Sequence, residues 1–127
     1  MRLAVSGSRL KYWYNPEIGK RQVHSVLDEL CKQHPITELG CGVSPEGGVD
    51  DWVCLYSVER GIPLREFPGR KGHYLERNRQ LVDWAYMVLC VFGEVFRAKS
   101  GTAYTLDYAY RQRKPVIVAL CSTLSDQ

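Results

Sequence analysis

Apolar residues along the chain form short continuous runs, and these runs alternate with longer stretches in which apolar residues recur every three or four positions. Continuous apolar runs are typical of strands that are buried on both faces. The clearest runs predict strands over residues 2–6, 86–92 and 116–120, and two weaker runs predict strands over residues 36–39 and 62–67. The pattern therefore predicts five strands.

The stretches between these runs have helical spacing. Asn15 and Pro16 are typical of a helix start, because Asn caps the first turn and Pro fits the first helical position. Pro35 ends that helix. Three further helices are predicted over residues 50–60, 73–84 and 101–113.

Alternation of strands and helices predicts a fold class. Each helical crossover returns the chain to the same end of the sheet, so the strands run parallel and helices cover both faces. We therefore predict a Rossmann-like three-layer α/β sandwich with a mostly parallel sheet of about five strands. The length of 127 residues is that of one domain, so residues 1–127 are expected to form a single unit.

Composition narrows the choice of partners. Apolar residues make up 45% and charged residues 24% of the chain, which is typical of a folded globular protein. The net charge of +3 is too small to predict nucleic-acid binding, although it suits an anionic small molecule. The five cysteines are widely spaced and include no CxxC pair, so neither a disulfide framework nor a metal site is expected, and no cofactor is predicted.

The location of the protein is also an expectation from sequence. No apolar stretch approaches the roughly 20 residues that cross a bilayer. Met1 leads directly into a predicted strand, which leaves no room for a signal peptide. We therefore expect a cytoplasmic protein without a membrane partner.

Glycine-rich loops follow the first four predicted strands. In a sheet of this kind, ligands bind beyond the carboxyl ends of the strands, where the strand order reverses. The loops are Gly7-Ser8-Arg9, residues 40–50, residues 68–73 and residues 93–102. Glycine lets the main chain approach a ligand closely, so these loops together predict a ligand site at one edge of the sheet.

Several residues in these loops suit a phosphate. Ser100-Gly101-Thr102 opens a predicted helix, whose free N–H groups and positive end attract anions, although an ordinary helix cap is the alternative. Arg9 adds a guanidinium that is able to make a bidentate contact with phosphate. Arg77, followed by Asn78, is expected to point into the cleft, whereas Arg79 is expected to be solvated.

For Asp50 and for three aromatic residues, the sequence allows either a ligand-binding role or a structural role. Asp50 follows Gly47-Gly48 and would either accept hydrogen bonds from ribose hydroxyls or cap the helix that it precedes. Tyr12, Trp13 and Trp52 would either stack on a base or pack in the core, and packing is the more common role of such residues.

The motifs taken together resemble the SLOG superfamily, and within it the small stand-alone YspA-like members. The matching motifs are GSR at 7–9, GGVD at 47–50, FPGRKGH at 67–73, RN at 77–78, and SGTA at 100–103 followed by KPV at 114–116. The resemblance implies a Rossmann-like domain that binds nucleotides and their derivatives, and a homodimer or higher homo-oligomer. The superfamily includes the lonely-guy phosphoribohydrolases, DNA-processing protein A and sensors of ADP-ribose-type signals. Nucleic acid is not expected as a partner here, because the sequence shows no strong basic patch.

The sequence departs from the phosphoribohydrolase pattern PGGxGTxxE at the residues that carry the chemistry. The loop before Gly101 reads EVFRAKS, and Thr105 stands where those enzymes have their essential glutamate. Arg77 matches their catalytic arginine, but threonine cannot stabilise an oxocarbenium ion by charge. We therefore predict a binding module for a nucleotide, ADP-ribose or an NAD-related signal, with no lonely-guy hydrolase activity.

Two alternatives to the binding module remain. One is an N-glycosidase or phosphoribohydrolase that uses Arg77 with a different carboxylate, namely Asp50, Glu94 or Asp107, and the other is an interaction protein that has lost its ligand. The predicted ligand-binding residues are Gly7, Ser8, Arg9, Gly47, Gly48, Asp50, Arg77, Asn78, Ser100, Gly101 and Thr102.

Overall fold

Five parallel strands form one sheet in the computed structural model, which describes residues 1–95, 97 and 99–123. The strands are β1 (Arg2–Gly7), β2 (Glu38–Gly42), β3 (Leu64–Phe67), β4 (Met87–Phe92) and β5 (Val116–Leu120). Their order across the sheet is β3-β2-β1-β4-β5, and each neighbouring pair is parallel. The predicted fold class is confirmed.

Four helices connect these strands. They are α1 (Pro16–Gln33), α2 (Val49–Arg60), α3 (Tyr74–Trp84) and α4 (Gly101–Arg111), and a short 3-10 helix at Leu10–Tyr12 follows β1. The Asn15 side chain accepts a hydrogen bond from the N–H of Ile18, so α1 begins as the Asn-Pro pair predicts. No helix in the described part of the chain is both long and apolar enough to cross a membrane.

Alternate residues of the strands face opposite layers of the sandwich. Leu3 and Val5 belong to a core cluster formed with α1 and α2, whereas the intervening Ala4 belongs to a second cluster formed with α3 and α4. Strand β4, which lies between β1 and β5, is buried along its whole length. Both faces of the sheet are therefore covered by helices, as its near-continuous apolar strands require.

The predicted bounds of two strands were wrong. Strand β2 covers Glu38–Gly42 rather than residues 36–39, because Gly40 and Gly42 lie inside the strand and not in the loop after it. A Cβ at Gly40 would overlap the ring of Trp84, and one at Gly42 would overlap the guanidinium of Arg77. Glycine serves here to bring α3 close to the sheet. Strand β3 begins at Leu64 rather than at residue 62.

The strand order reverses between β1 and β4. From β1 the chain builds outward through β2 to β3, and it then returns to add β4 and β5 on the other side of β1. The crossovers on the two sides of this point lie on opposite faces, so a crevice opens beyond the carboxyl ends of β1 and β4. The Gly7 loop and the segment before α4 leave the sheet at this crevice.

Gly48 is expected to be the glycine least tolerant of substitution in the loop before α2. Its φ is 95°, and a Cβ there would lie 2.6 Å from the carbonyl oxygen of Ser8. Gly61 also has a positive φ, of 66°, but no atom lies within 4 Å of a Cβ built on it. We expect Gly61→Ala to lower the free energy of unfolding by about 1 kcal/mol and Gly48→Ala by about 3 kcal/mol or more. Urea denaturation of both variants measures the difference, and equal losses would show that the contact with Ser8 is unimportant.

Candidate ligand-binding cleft

A cleft of about 270 Å³ opens beyond the carboxyl ends of the central strands. Its walls come from the ends of β1 and β2, the loop after β2, and the first turns of α2, α3 and α4. The structure brings most of the predicted ligand-binding residues together on these walls, namely Gly7, Ser8, Arg9, Asp50, Arg77, Asn78, Ser100, Gly101 and Thr102.

Gly47 and Gly48 do not line the cleft. Both have positive φ values, and Gly48 packs against the backbone of the loop after β1. Gly7 does line the cleft, but a Cβ on it would overlap Val49 at the start of α2. The loop after β1 and the segment that leads into α2 therefore pack closely, and this packing alone explains glycine at positions 7 and 48.

The first turn of α4 presents N–H groups that have no acceptor within the helix. The Ser100 side chain caps this turn by accepting from the N–H of Ala103 at 3.1 Å. Gly101 and Thr102 begin the helix, so their N–H groups precede the first residue that bonds to a carbonyl of the helix itself. The first turns of α1, α2 and α3 each contain an acidic side chain, and that of α4 contains none. Its positive helix end is therefore not neutralised by a side chain of its own.

Arg77 is a buried cation whose hydrogen-bond partners are all neutral. Its side chain is 9% exposed and lies against Gly42. Nη1 donates to the carbonyl oxygen of Phe67 at 3.0 Å, and Nε donates to Oδ1 of Asn78 at 2.8 Å. No carboxylate in the described part of the chain lies within 4.0 Å of it. Because burying an unpaired charge is unfavourable, this guanidinium attracts an anion.

Asn78 connects Arg77 to α4. Its Oδ1 accepts from Arg77, and its Nδ2 donates to the carbonyl oxygen of Gly101 at 3.3 Å. Thr105 is fully buried, and its hydroxyl donates to that same carbonyl at 2.9 Å. Thr105 therefore belongs to the helix packing and does not line the cleft.

Serine hydroxyls at the end of β1 and in the loop after it form hydrogen bonds with residues of α4 and of the loop after β4. Ser8 Oγ accepts from the N–H of Gly93 at 3.0 Å, and Ser6 Oγ donates to Oγ1 of Thr102 at 3.4 Å. Ser8 and Thr102 thus lie at the same edge of the sheet, as a shared anion site requires. The binding of an anion between them stays a prediction.

The other two arginines lie in different surroundings. Arg9 is partly exposed and forms an ion pair with Glu46 at 3.1 Å, so part of its charge is already neutralised. Its guanidinium also lies 6.0 Å from the ring centre of Tyr74. Arg79 is outside the cleft and donates to the hydroxyl of Tyr104 at 3.2 Å.

The structure separates the three carboxylates that could serve an enzyme. Asp107 is paired with Arg111 at 3.0 Å, away from the cleft. Glu94 is also outside it and accepts from the N–H of Thr123 at 2.7 Å. Burial works to raise the pKa of Glu94, but the hydrogen bonds from Thr123 and from the N–H of Tyr14 hold it below its usual value. Asp50 lines the cleft.

Asp50 is mostly buried and its carboxylate has no hydrogen bond or ion pair within residues 1–95, 97 and 99–123. Burial raises the pKa of Asp50 to about 7. The positive charges of Arg77 and Arg9 work in the opposite direction, while Asp51 and Glu66 add to the rise. Both the ionised and the neutral form of this acid are therefore populated near neutral pH.

The aromatic residues divide between the cleft and the core. Trp13 and Trp52 are buried and meet edge to face with ring centres 5.1 Å apart, so packing is their role. Tyr12 lines the cleft, and its hydroxyl accepts from Nη1 of Arg97 at 2.6 Å. That hydrogen bond holds the pKa of Tyr12 below its usual value.

Several cleft residues were missed at the level of sequence, and those with polar, basic or glycine character or an aromatic ring bear most on ligand binding. They include Ser6, Gly42, Tyr74, Arg97 and Lys99. Ser6 lies within the predicted first strand, Gly42 is at the end of β2 beyond its predicted bound, and Tyr74 is the first residue of α3. Arg97 and Lys99 are basic residues in the predicted loop at 93–102, and their charge in a site loop could have identified them from the sequence. Among the described residues no cluster of His, Cys, Asp and Glu could hold a metal ion.

Comparison with known proteins shows the fold. No family model and no curated protein matches the chain. Among solved structures, the chain is similar to DNA processing protein A (DprA) from Streptococcus pneumoniae, with a TM-score of 0.72 and 18% sequence identity. The match covers 98% of this chain and 52% of that chain, so the chain spans about half the length of the DprA structure. The protein therefore has a DprA-like Rossmann fold.

Replacing Asp50 is expected to stabilise the ligand-free protein at high pH. An acid whose pKa is raised by folding keeps its proton in the folded state while the unfolded chain has lost it, so stability falls as pH rises from about 4 to about 7. The pKa of about 7 lies about three units above the usual value, so we expect Asp50→Asn to raise the free energy of unfolding by about 4 kcal/mol at about pH 8 and to change it little near pH 4.

Urea denaturation across this pH range measures the effect. Asp51→Asn is the matched control, because Asp51 is the exposed neighbouring acid on the same helix turn. It is expected to give no gain at high pH. A stability difference between Asp50→Asn and the wild type that does not change with pH would contradict the raised pKa.

Proposed function

We propose that this chain is a single SLOG-like domain, residues 1–127, that binds a phosphate-bearing ligand derived from a nucleotide. The observation that carries the proposal is the buried guanidinium of Arg77, which has no counter-ion among the described residues and lies in the same cleft as the acid-free N-terminus of α4. A phosphate supplies the missing negative charge and accepts hydrogen bonds from both.

Gly101 supports a close approach of the ligand to the backbone. Its φ is not positive, and the nearest atom to a Cβ built on it would be Nδ2 of Asn78 at 3.4 Å. Neither backbone conformation nor packing within the chain requires glycine there. A phosphate resting on the N–H groups of α4 gives a reason for the missing side chain.

The size of the cleft favours a compact ligand. Its volume of about 270 Å³ is just below the range of roughly 300–1,000 Å³ that is usual for small-molecule sites. A nucleoside monophosphate suits this space. ADP-ribose or an NAD-related signal would extend past the rim, where Arg97 and Lys99 are exposed.

The family assignment is part of this proposal. The DprA-like fold agrees with the motif resemblance to the SLOG superfamily, while the YspA-like assignment depends on the motifs at 7–9, 47–50, 67–73, 77–78 and 100–103 alone. Assembly into a homo-oligomer also depends on that resemblance.

Arg77 and Arg79 provide a matched test, because both are arginines of α3 and one alone lines the cleft. A charge-assisted hydrogen bond contributes roughly 1.5–3 kcal/mol. We therefore expect Arg77→Gln to weaken the binding of AMP by about ten- to a hundredfold, and Arg79→Gln to leave it unchanged. Arg9→Ala is expected to have a smaller effect than Arg77→Gln, since Glu46 already neutralises part of its charge.

Calorimetric titration of each variant with AMP measures the effect, and thermal unfolding verifies that each variant is folded. Arg77→Lys keeps the charge and is expected to lose less affinity than Arg77→Gln. Equal small losses in all the arginine variants would indicate general electrostatic attraction only, and unchanged affinity in Arg77→Gln would place the site elsewhere.

An N-glycosidase is the second candidate function, because Asp50 is a carboxylate in the same cleft as Arg77. The fully buried Thr105 has no charge with which to replace the relatives' glutamate. We expect no release of free base from AMP over hours, as measured by chromatography. Multiple-turnover release that Asp50→Asn abolishes would instead establish the enzyme.

A further inference from the structure

Asp50 is the residue of the cleft whose role the phosphate site leaves open. Its carboxylate lines the cleft, is mostly buried, and accepts no hydrogen bond within residues 1–95, 97 and 99–123. An unpartnered carboxylate that lines a cavity is free to accept hydrogen bonds from a molecule bound there, in place of the water that otherwise fills the cleft. Asp50 does not cap α2 by a hydrogen bond, since the N-cap residue is Gly48. Its charge in the first turn suits the positive end of that helix, but this leaves the carboxylate oxygens able to accept from a bound molecule.

Charged groups surround Asp50 on several elements. Arg77 on α3 and Arg9 after β1 are the nearby cations, and Asp51 on α2 and Glu66 on β3 are the nearby anions. The thiol of Cys41 on β2 also interacts with its charge. Arg77 does not pair with Asp50, because its guanidinium is held by the carbonyl of Phe67 and the amide of Asn78.

This arrangement limits which part of the ligand adjoins Asp50. A fully ionised phosphate has no proton to donate and would repel the ionised form of Asp50, so we expect the group against that carboxylate to carry O–H or N–H donors. In a nucleoside monophosphate whose phosphate binds near Arg77 and α4, the part next to the phosphate is the sugar, and the base lies further away. A carboxylate has two oxygens, which match the two adjacent hydroxyls of a ribose.

We propose that Asp50 accepts hydrogen bonds from the vicinal hydroxyls of a ribose, so that the cleft selects ribonucleoside phosphates over their 2′-deoxy analogues. This inference rests on the proposed function, since it assumes that the phosphate binds at Arg77 and α4. It adds the sugar as the part of the ligand that sets specificity.

The test compares AMP with 2′-deoxyadenosine monophosphate by calorimetric titration, with inorganic phosphate as a third probe. The wild type is expected to bind AMP about tenfold more tightly than the deoxy analogue. Asp50→Ala is expected to bind the two nucleotides equally, while its affinity for inorganic phosphate is retained or increased because a nearby negative charge is gone. Asp51→Ala is the matched control and is expected to keep the tenfold preference.

The dependence on pH gives an independent readout. An ionised carboxylate is a stronger acceptor than a neutral carboxyl group, and burial places the pKa of Asp50 at about 7. The preference for AMP is therefore expected to increase as pH rises from about 6 to about 8 in the wild type, and to stay flat in Asp50→Ala. Because both nucleotides carry the same phosphate, the titration of that phosphate cancels in the ratio. Asp50→Asn is the second variant if Asp50→Ala does not fold.

The outcomes separate this inference from the proposed function. If AMP and the deoxy analogue bind the wild type equally well and inorganic phosphate competes with both, the role of Asp50 is wrong and the phosphate site stands. A preference that persists in Asp50→Ala also overturns the role of Asp50. If neither nucleotide nor inorganic phosphate binds, the proposed function itself fails.

Discussion

The candidate site depends on one buried charge, the guanidinium of Arg77. It occupies the space that a side chain at position 42 would fill, so β2 must have glycine at that position. It is held by a backbone carbonyl at the end of β3 and by the amide of Asn78. Two strands and one helix therefore meet around this group. Because none of these partners is charged, the protein fixes the position of the cation without neutralising it.

Asp50 and α4 leave two further charges unbalanced in the same cleft. The part of the chain that the structure describes provides no hydrogen-bond donor to the Asp50 carboxylate, and the positive end of α4 has no acidic side chain in its first turn. Each of these features lowers the stability of the ligand-free fold, since buried charges without partners are unfavourable. Their presence in one cavity is the basis of the proposed binding site, in which a ligand would complete interactions that the chain leaves open.

Much of the architecture could be predicted from sequence, because buried parallel strands have a simple signature. The run from Met87 to Phe92 is apolar at each position, which fits a strand with helices on both faces. The loops that follow such strands must gather at one edge, so Ser8 and Thr102 could be assigned to one cleft although more than ninety positions separate them. The predicted bounds failed at β2, because glycine usually marks a loop and here lies inside a strand under Trp84 and Arg77.

By itself the sequence determined the order of the elements, the parallel sheet, and three of the four loops assigned to the cleft, because these follow from local periodicity and from chain connectivity. The predicted loop at 68–73 does not line the cleft. Only the tertiary structure decided which side chains face one another there. It placed Asp50 in the cleft and Glu94 and Asp107 outside it, and it assigned Gly48 to packing against the Ser8 loop. The burial and pKa of Asp50, and the charges around Arg77, depend on residues that are distant in sequence. The hydrophobic periodicity of a single segment does not show which residues those are.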